Sequence, residues 1–153
     1  MDDGQVRHST FSIERTYEGP PSGLFAAWAE PAAKARWFAG PDSEHQLDFR
    51  VGGQEIVRAN NADGKVLTFE STYHDIVPDA RIVFGSTLWV EDTLATVSIT
   101  TVEFSAAAES SRLVLTEQDT FLDALEQPSW REQGTAQQLD ALAVALKDNG
   151  PGA

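Results

Sequence analysis

The chain has 153 residues, 41% of them hydrophobic and 23% charged, with eight Phe and four Trp, which suits a single domain with one sizeable core. Its 11 Lys and Arg stand against 24 Asp and Glu, a formal charge of −13. Phosphate backbones and anionic membrane surfaces would repel that charge, so neither nucleic acid nor a membrane is expected as a partner. With no cysteine, disulfides, thiolate catalysis and Cys-based metal sites are excluded, and a reducing cytoplasm is the expected location.

The opening MDDGQVRHST has neither a basic n-region nor an apolar h-region, and no apolar run nears the roughly 20 residues that span a bilayer. Residues 1–8 and 149–153 read as flexible tails around one domain, 9–148. STFSIERTY alternates, with Phe11, Ile13 and Arg15 on one side, and predicts a first strand. In GPPSGLFAAWAEPAAKARWF the period changes. Pro20 and Pro21 can open one short helix, and Glu30-Pro31 ends it and opens a second. QLDFRV and QEIVRAN follow as strands joined by a Gly52-Gly53 hairpin turn.

An Asp-Gly turn then leads into KVLTFESTYHDIV, PDA turns that into RIVFGSTLWV, and TLATVSITTVEF and SRLVLTEQDTF complete the series. Connections this short cannot cross over a sheet, so about six consecutive strands are antiparallel. In PSWREQGTAQQLDALAVALKDN, Leu139, Leu142, Ala143 and Leu146 recur at i, i+3, i+4 and i+7, one apolar stripe on a long helix. The predicted order is β-αα-β₆-α, an α+β fold in which a curved antiparallel sheet of about seven strands takes a long C-terminal helix.

Few residues carry recognisable chemistry. Gly52-Gly53 is followed by no Lys, Ser/Thr or helix start, which makes it a turn and not a phosphate loop. His8, His45 and His74 form no His-x-x-x-His pair, so no metal or other cofactor is expected. Glu117 shares strand parity with Leu113 and Leu115. It reads either as a buried carboxylate that orients a ligand or acts as acid/base, or as the partner of a cation such as Arg58. Asp119, Asp123 and Glu126 lack metal-loop spacing and read as a solvated acidic face. No Ser-His-Asp order, nucleophile elbow or dinucleotide glycine pattern occurs.

The stretches LFAAWAEPAAKARWFAGP, DFRVGG, FESTYHDIVPDARIVF, VEFSAAAESSRLVLTEQDTFLD and REQGTAQQLDALAVAL resemble the START-like (SRPBCC) superfamily. This is the helix-grip fold of the birch-pollen allergen, and the chain is closer still to bacterial relatives of the C-terminal domain of the heat-shock-chaperone ATPase activator (activator of Hsp90 ATPase homologue-like). The resemblance implies a cavity between the sheet and the long helix, with Trp37 and Phe38 at one rim, where ordinary core filling is the competing role of Trp37. It makes Trp37, Phe49, Phe69, Phe84, Trp89 and Phe121 the expected lining, closed by Leu139 and Leu142, with Arg58 and Glu117 as polar anchors. Trp89 breaks parity with Phe84 and joins the lining only through a bulge or strand end. Where many relatives carry Gly-Trp early in the last helix, this chain has Gly134-Thr135.

The resemblance therefore implies a small apolar or amphipathic ligand bound without catalysis. Two alternatives stand beside it. One is an enzyme of the polyketide cyclase or aromatase type with Glu117, His74 or Tyr73 as acid/base. The other is an interaction protein that touches a chaperone or regulator through its acidic surface, or forms a homodimer.

Overall fold

The computed structural model describes residues 4–148. Seven antiparallel strands form one sheet: β1 (Val6–Glu18), β2 (Glu44–Leu47), β3 (Gln54–Asn60), β4 (Val66–Val77), β5 (Arg81–Val90), β6 (Thr93–Ala107) and β7 (Ser110–Leu122), in spatial order β1-β7-β6-β5-β4-β3-β2. Two short helices, α1 (Pro21–Ala29) and α2 (Pro31–Phe38), follow β1, and a 21-residue helix, α3 (Pro128–Asp148), closes the chain. This is the helix-grip fold. The first strand begins within the stretch read as a tail, since Val6 already pairs with Leu122. Residues 1–3 and 149–153 of the expected tails lie outside the described residues.

Proline sets the break between the first two helices. Each helix has a proline at its first positions, and Glu30, held before Pro31, is extended at φ −88° and ψ 125°. The residue before a proline is barred from the helical region, so α1 must stop there and α2 starts afresh. The turn brings Trp28 and Trp37 edge to face at 4.7 Å, and the Trp37 Nε1 donates to the Ala27 carbonyl at 3.0 Å.

The expected two-residue hairpin at Gly52-Gly53 is instead a longer loop. β2 ends at Leu47, and Asp48 to Gly53 leave the ladder before β3 begins at Gln54. Gly52 adopts φ 85°, and a Cβ on Gly53 would stand 2.1 Å from the Asp48 carbonyl oxygen. Both glycines are therefore required by the backbone. The loop is pinned to β4 by Gly52 N–H to the Tyr73 carbonyl and Tyr73 N–H to the Gly53 carbonyl.

Strand pairing carries the inward residues across the sheet in rows. One row runs Tyr73, Phe84, Thr100, Glu117, and its neighbour runs Ser71, Ser86, Ser98, Asp119. The core lies between the inner face and the helices, with Leu113, Leu115, Ile82, Val102, Phe104 and Trp28 among its buried members. From α3, Leu139, Leu142 and Ala145 are buried, while Ala143 and Leu146 of the predicted stripe pack at its edge. The helix is held by the Tyr17 hydroxyl, which donates to the Leu139 carbonyl at 3.0 Å, and by the Gln138 amide, which donates to the Phe38 carbonyl at 3.1 Å. It approaches α1, α2 and β1 closely.

Candidate functional site

Between the first half of α3, the aromatic ends of α1 and α2, and strands β3 to β7 lies a cavity of about 300 Å³. Trp28, Trp37, Phe38, Phe69, Phe84 and Trp130 supply aromatic walls, and Val57, Leu67, Leu88, Leu115 and Leu139 supply aliphatic ones. Trp130, 59% exposed, and Gly134 of α3 mark where it meets solvent. The small side chain of Thr135 also lines it. Trp28 is buried in this wall, and its Nε1 has no hydrogen-bond partner among the described residues.

At one end the wall is polar. Glu117, 4% exposed, accepts from Arg131 Nε at 2.8 Å and from the Thr100 hydroxyl at 3.3 Å. Arg131 also reaches Glu126 Oε1 at 3.4 Å and donates to Ser98 Oγ at 3.2 Å, with its guanidinium 5.2 Å from the centre of the Phe69 ring. Glu126 takes a further bond from the Thr96 hydroxyl at 2.6 Å. Two residues along β7, Asp119 faces the same way, 4% exposed, and neither carboxyl oxygen meets a donor. Burial, followed by the nearby Glu117 carboxylate, pushes the Asp119 carboxyl up to about 8. A protonated Asp119 sharing its proton with Glu117 accounts for both observations. The expected solvated face is thus corrected: Asp119 is buried, and Glu126 closes onto Arg131.

A second polar cluster lies behind the aromatic wall. Lys34 on α2 is fully buried, with Nζ 2.6 Å from Glu55 Oε1 on β3. The Tyr73 hydroxyl donates to the same oxygen at 3.0 Å, and His45 Nε2 lies 2.8 Å from Oε2. The ammonium sits 4.2 Å from the Phe38 ring centre and 5.2 Å from that of Trp28. Burial alone would raise the Glu55 carboxyl, but the Lys34 charge, together with His45, outweighs it and holds Glu55 below the usual carboxylate range. Burial, then the Glu55 charge, pushes the Tyr73 phenol far up. This cluster ties α2 to the sheet and fixes the rings that line the cavity.

The ten residues expected at the site separate into two groups. Trp37, Phe69, Phe84, Glu117 and Leu139 line the cavity. Phe49 lies past the end of β2 and packs edge-on against Phe25 and Tyr73, on the far side of the buried cluster. Arg58 has opposite parity to the lining residue Val57 and pairs with Glu44 in solvent at 3.5 Å. Leu88 shares the inward parity of Phe84 and Ser86 and faces the cavity, while Trp89 has the opposite parity and bonds Thr87 outside it; the β5–β6 register shift after Leu88 does not bring Trp89 in. Phe121 is buried beyond Asp119, opposite Thr96 and Arg7, and Leu142 is buried in the solid core one turn past Leu139. Of the suggested acid/base groups, Tyr73 is bound into the Lys34 cluster and His74 is exposed on the outer face, which leaves Glu117.

Reading the sequence missed Trp130, Arg131, Lys34 and Glu55. A signal existed for Glu55, which alternates with Val57 and Ala59 on the inner face of β3. None existed for Lys34, a lysine in a short helix of otherwise ordinary composition. Among the described residues, no group of three or more His, Asp or Glu is placed to hold a metal ion, and no helix is long and apolar enough to cross a membrane.

The family model for "Activator of Hsp90 ATPase homolog 1-like protein" matches residues 18–147. The chain is 36% identical to an uncharacterized protein from Rhizobium leguminosarum, with a TM-score of 0.90, covering 94% of this chain and 97% of that one. With the Mll3558 protein of Rhizobium loti the identity is 40% and the TM-score 0.87, covering 93% and 99%. Protein CV1439 of Chromobacterium violaceum, at 23% identity and a TM-score of 0.72 over 89% of this chain and 96% of its own, shares the fold. Among curated proteins no relative matches the sequence.

Proposed function

The chain belongs to the Activator of Hsp90 ATPase homolog 1-like family, and from that premise we propose that it binds a small apolar or amphipathic molecule in the cavity beneath α3. The observation that carries the reading is the cavity itself. Protein interiors pack close to crystal density, so a space of about 300 Å³ walled by six aromatic rings is not what core packing leaves behind. It stands at about the lower end of the 300–1,000 Å³ range of small-molecule sites. That size suits a ligand of one or two rings or a short acyl body. The orphaned Trp28 Nε1 supports the same reading, because an unmade buried donor costs about 1–3 kcal/mol and a ligand acceptor would relieve it. The reading takes residues 9–148 as the working domain and, on a cysteine-free composition, the cytoplasm as its place of action.

The cyclase-type alternative retains Glu117 as its acid/base group, but that carboxylate is engaged by Arg131 and Thr100. Binding without catalysis accounts for the geometry with fewer assumptions. The test is titration with the neutral fluorophore N-phenyl-1-naphthylamine. Saturable one-to-one binding that quenches tryptophan emission is expected, since three of the four tryptophans, Trp28, Trp37 and Trp130, line the cavity. Absence of saturable quenching overturns the reading.

A further inference from the structure

The polar end of the cavity carries a chemical preference. Glu117 and Glu126 both line it, and one guanidinium, Arg131, serves both. Arg131 commits one N–H from each nitrogen, Nε to Glu117, Nη1 to Glu126 and Nη2 to Ser98, with the side chain only 10% exposed and Phe69 against its face. Its single charge is already shared between two carboxylates, so an incoming carboxylate or phosphate meets no unpaired cation there. Acceptors, by contrast, are in surplus. Both Glu126 contacts fall on Oε1, which leaves its Oε2 without a partner among the described residues.

The surroundings have the same sign. Six aromatic side chains wall the cavity, and aromatic rings attract cations, as Arg131 over Phe69 and Lys34 over Phe38 and Trp28 show in this structure. The formal charge of −13 favours arrival of cations over anions. From two carboxylates sharing one cation beside an aromatic cavity we infer that the ligand is an amphipathic amine: an aromatic or short aliphatic body with a protonated amino group set against Glu126 and Glu117. This rests on the reading of the cavity as a ligand site and adds the ligand's charge to it.

Three compounds of nearly equal shape make the test: 1-naphthylmethylamine, 1-naphthylmethanol and 1-naphthoate, titrated calorimetrically into the protein at pH 7 and low salt. The amine should bind tightest and the carboxylate weakest, with the amine favoured over the alcohol by about tenfold or more, the value of one charge-assisted hydrogen bond. Glu126→Gln should narrow the amine-to-alcohol ratio. Added salt should narrow it too. Equal affinities, a preference for the carboxylate, or a ratio unmoved by Glu126→Gln would overturn the amine assignment while leaving a ligand cavity. Failure of all three compounds to bind would overturn the cavity reading together with it.

Discussion

Replacing Lys34 with Met probes the buried cluster that holds the cavity wall. The methionine keeps the unbranched reach of the side chain among Trp28, Phe38, Tyr73 and Phe84 but leaves the Glu55 carboxylate, itself without solvent exposure, lacking the cation 2.6 Å away. Removing one partner of a buried pair costs about 3–5 kcal/mol, a large share of the roughly 5–15 kcal/mol that stabilises a domain. His45 at 2.8 Å from Oε2 and the Tyr73 hydroxyl hold the loss toward the lower figure.

The pH dependence has a definite sign. In the wild type Glu55 titrates below its ordinary 4.5, so its contribution is present above pH 4.5 and is lost as pH falls through the lowered folded value. Without Lys34, burial favours the protonated acid, so the variant recovers ground as pH falls. The gap between the two proteins should shrink from pH 7 to pH 5. Adding Glu55→Gln should restore at least about 2 kcal/mol, because the amide still accepts from Tyr73 and carries no charge. Urea unfolding followed by circular dichroism at the two pH values reads all of this. A loss under about 1 kcal/mol, or an equal loss at both pH values, would refute the reasoning.

Asp119→Asn should stabilise the protein progressively as pH rises. The wild-type carboxyl, raised from 3.8 to about 8 by burial and by the Glu117 carboxylate, favours the folded state fully only below pH 3.8 and loses that contribution as pH approaches 8. With water access discounted, the variant should gain about 2 kcal/mol between pH 4 and pH 8 in denaturant titrations, and a flat difference would count against a buried acid there. Gly53→Ala should cost at least about 2 kcal/mol, read as a lowered Tm, because the new Cβ would meet the Asp48 and Arg50 carbonyl oxygens at 2.1 and 3.0 Å.

The fold was legible because its signals are periodic and local. Alternation over SRLVLTEQDTF, the Pro31 break and the Leu139/Leu142 spacing each specify one element whatever its neighbours are. The site was legible only where a lining residue lay inside such a run, as with Phe69, Phe84 and Glu117. It failed at Phe49, which lies past the early end of β2, and at Trp89, which keeps the parity opposite to Phe84 while Leu88 takes the inward place. Arg58 carries the right charge for an anchor, but its parity, opposite to that of Val57, points it outward. The true cation, Arg131, lies on the helix, and its partnership with Glu117 exists only once α3 docks on β7. Lys34 meets Glu55 across 21 residues of chain, a pairing that tertiary structure alone creates.

Thr135 faces the cavity from α3, so an indole at that position would occupy the space a ligand needs. The most direct measurement is titration of the wild type and Thr135→Trp with N-phenyl-1-naphthylamine, with urea unfolding of both proteins alongside. A ligand cavity predicts saturable binding to the wild type, none to the variant, and cooperative unfolding of the variant at equal or higher denaturant. Binding that survives the substitution unchanged, or a variant destabilised by about 1–3 kcal/mol as an overpacked core would be, would contradict it.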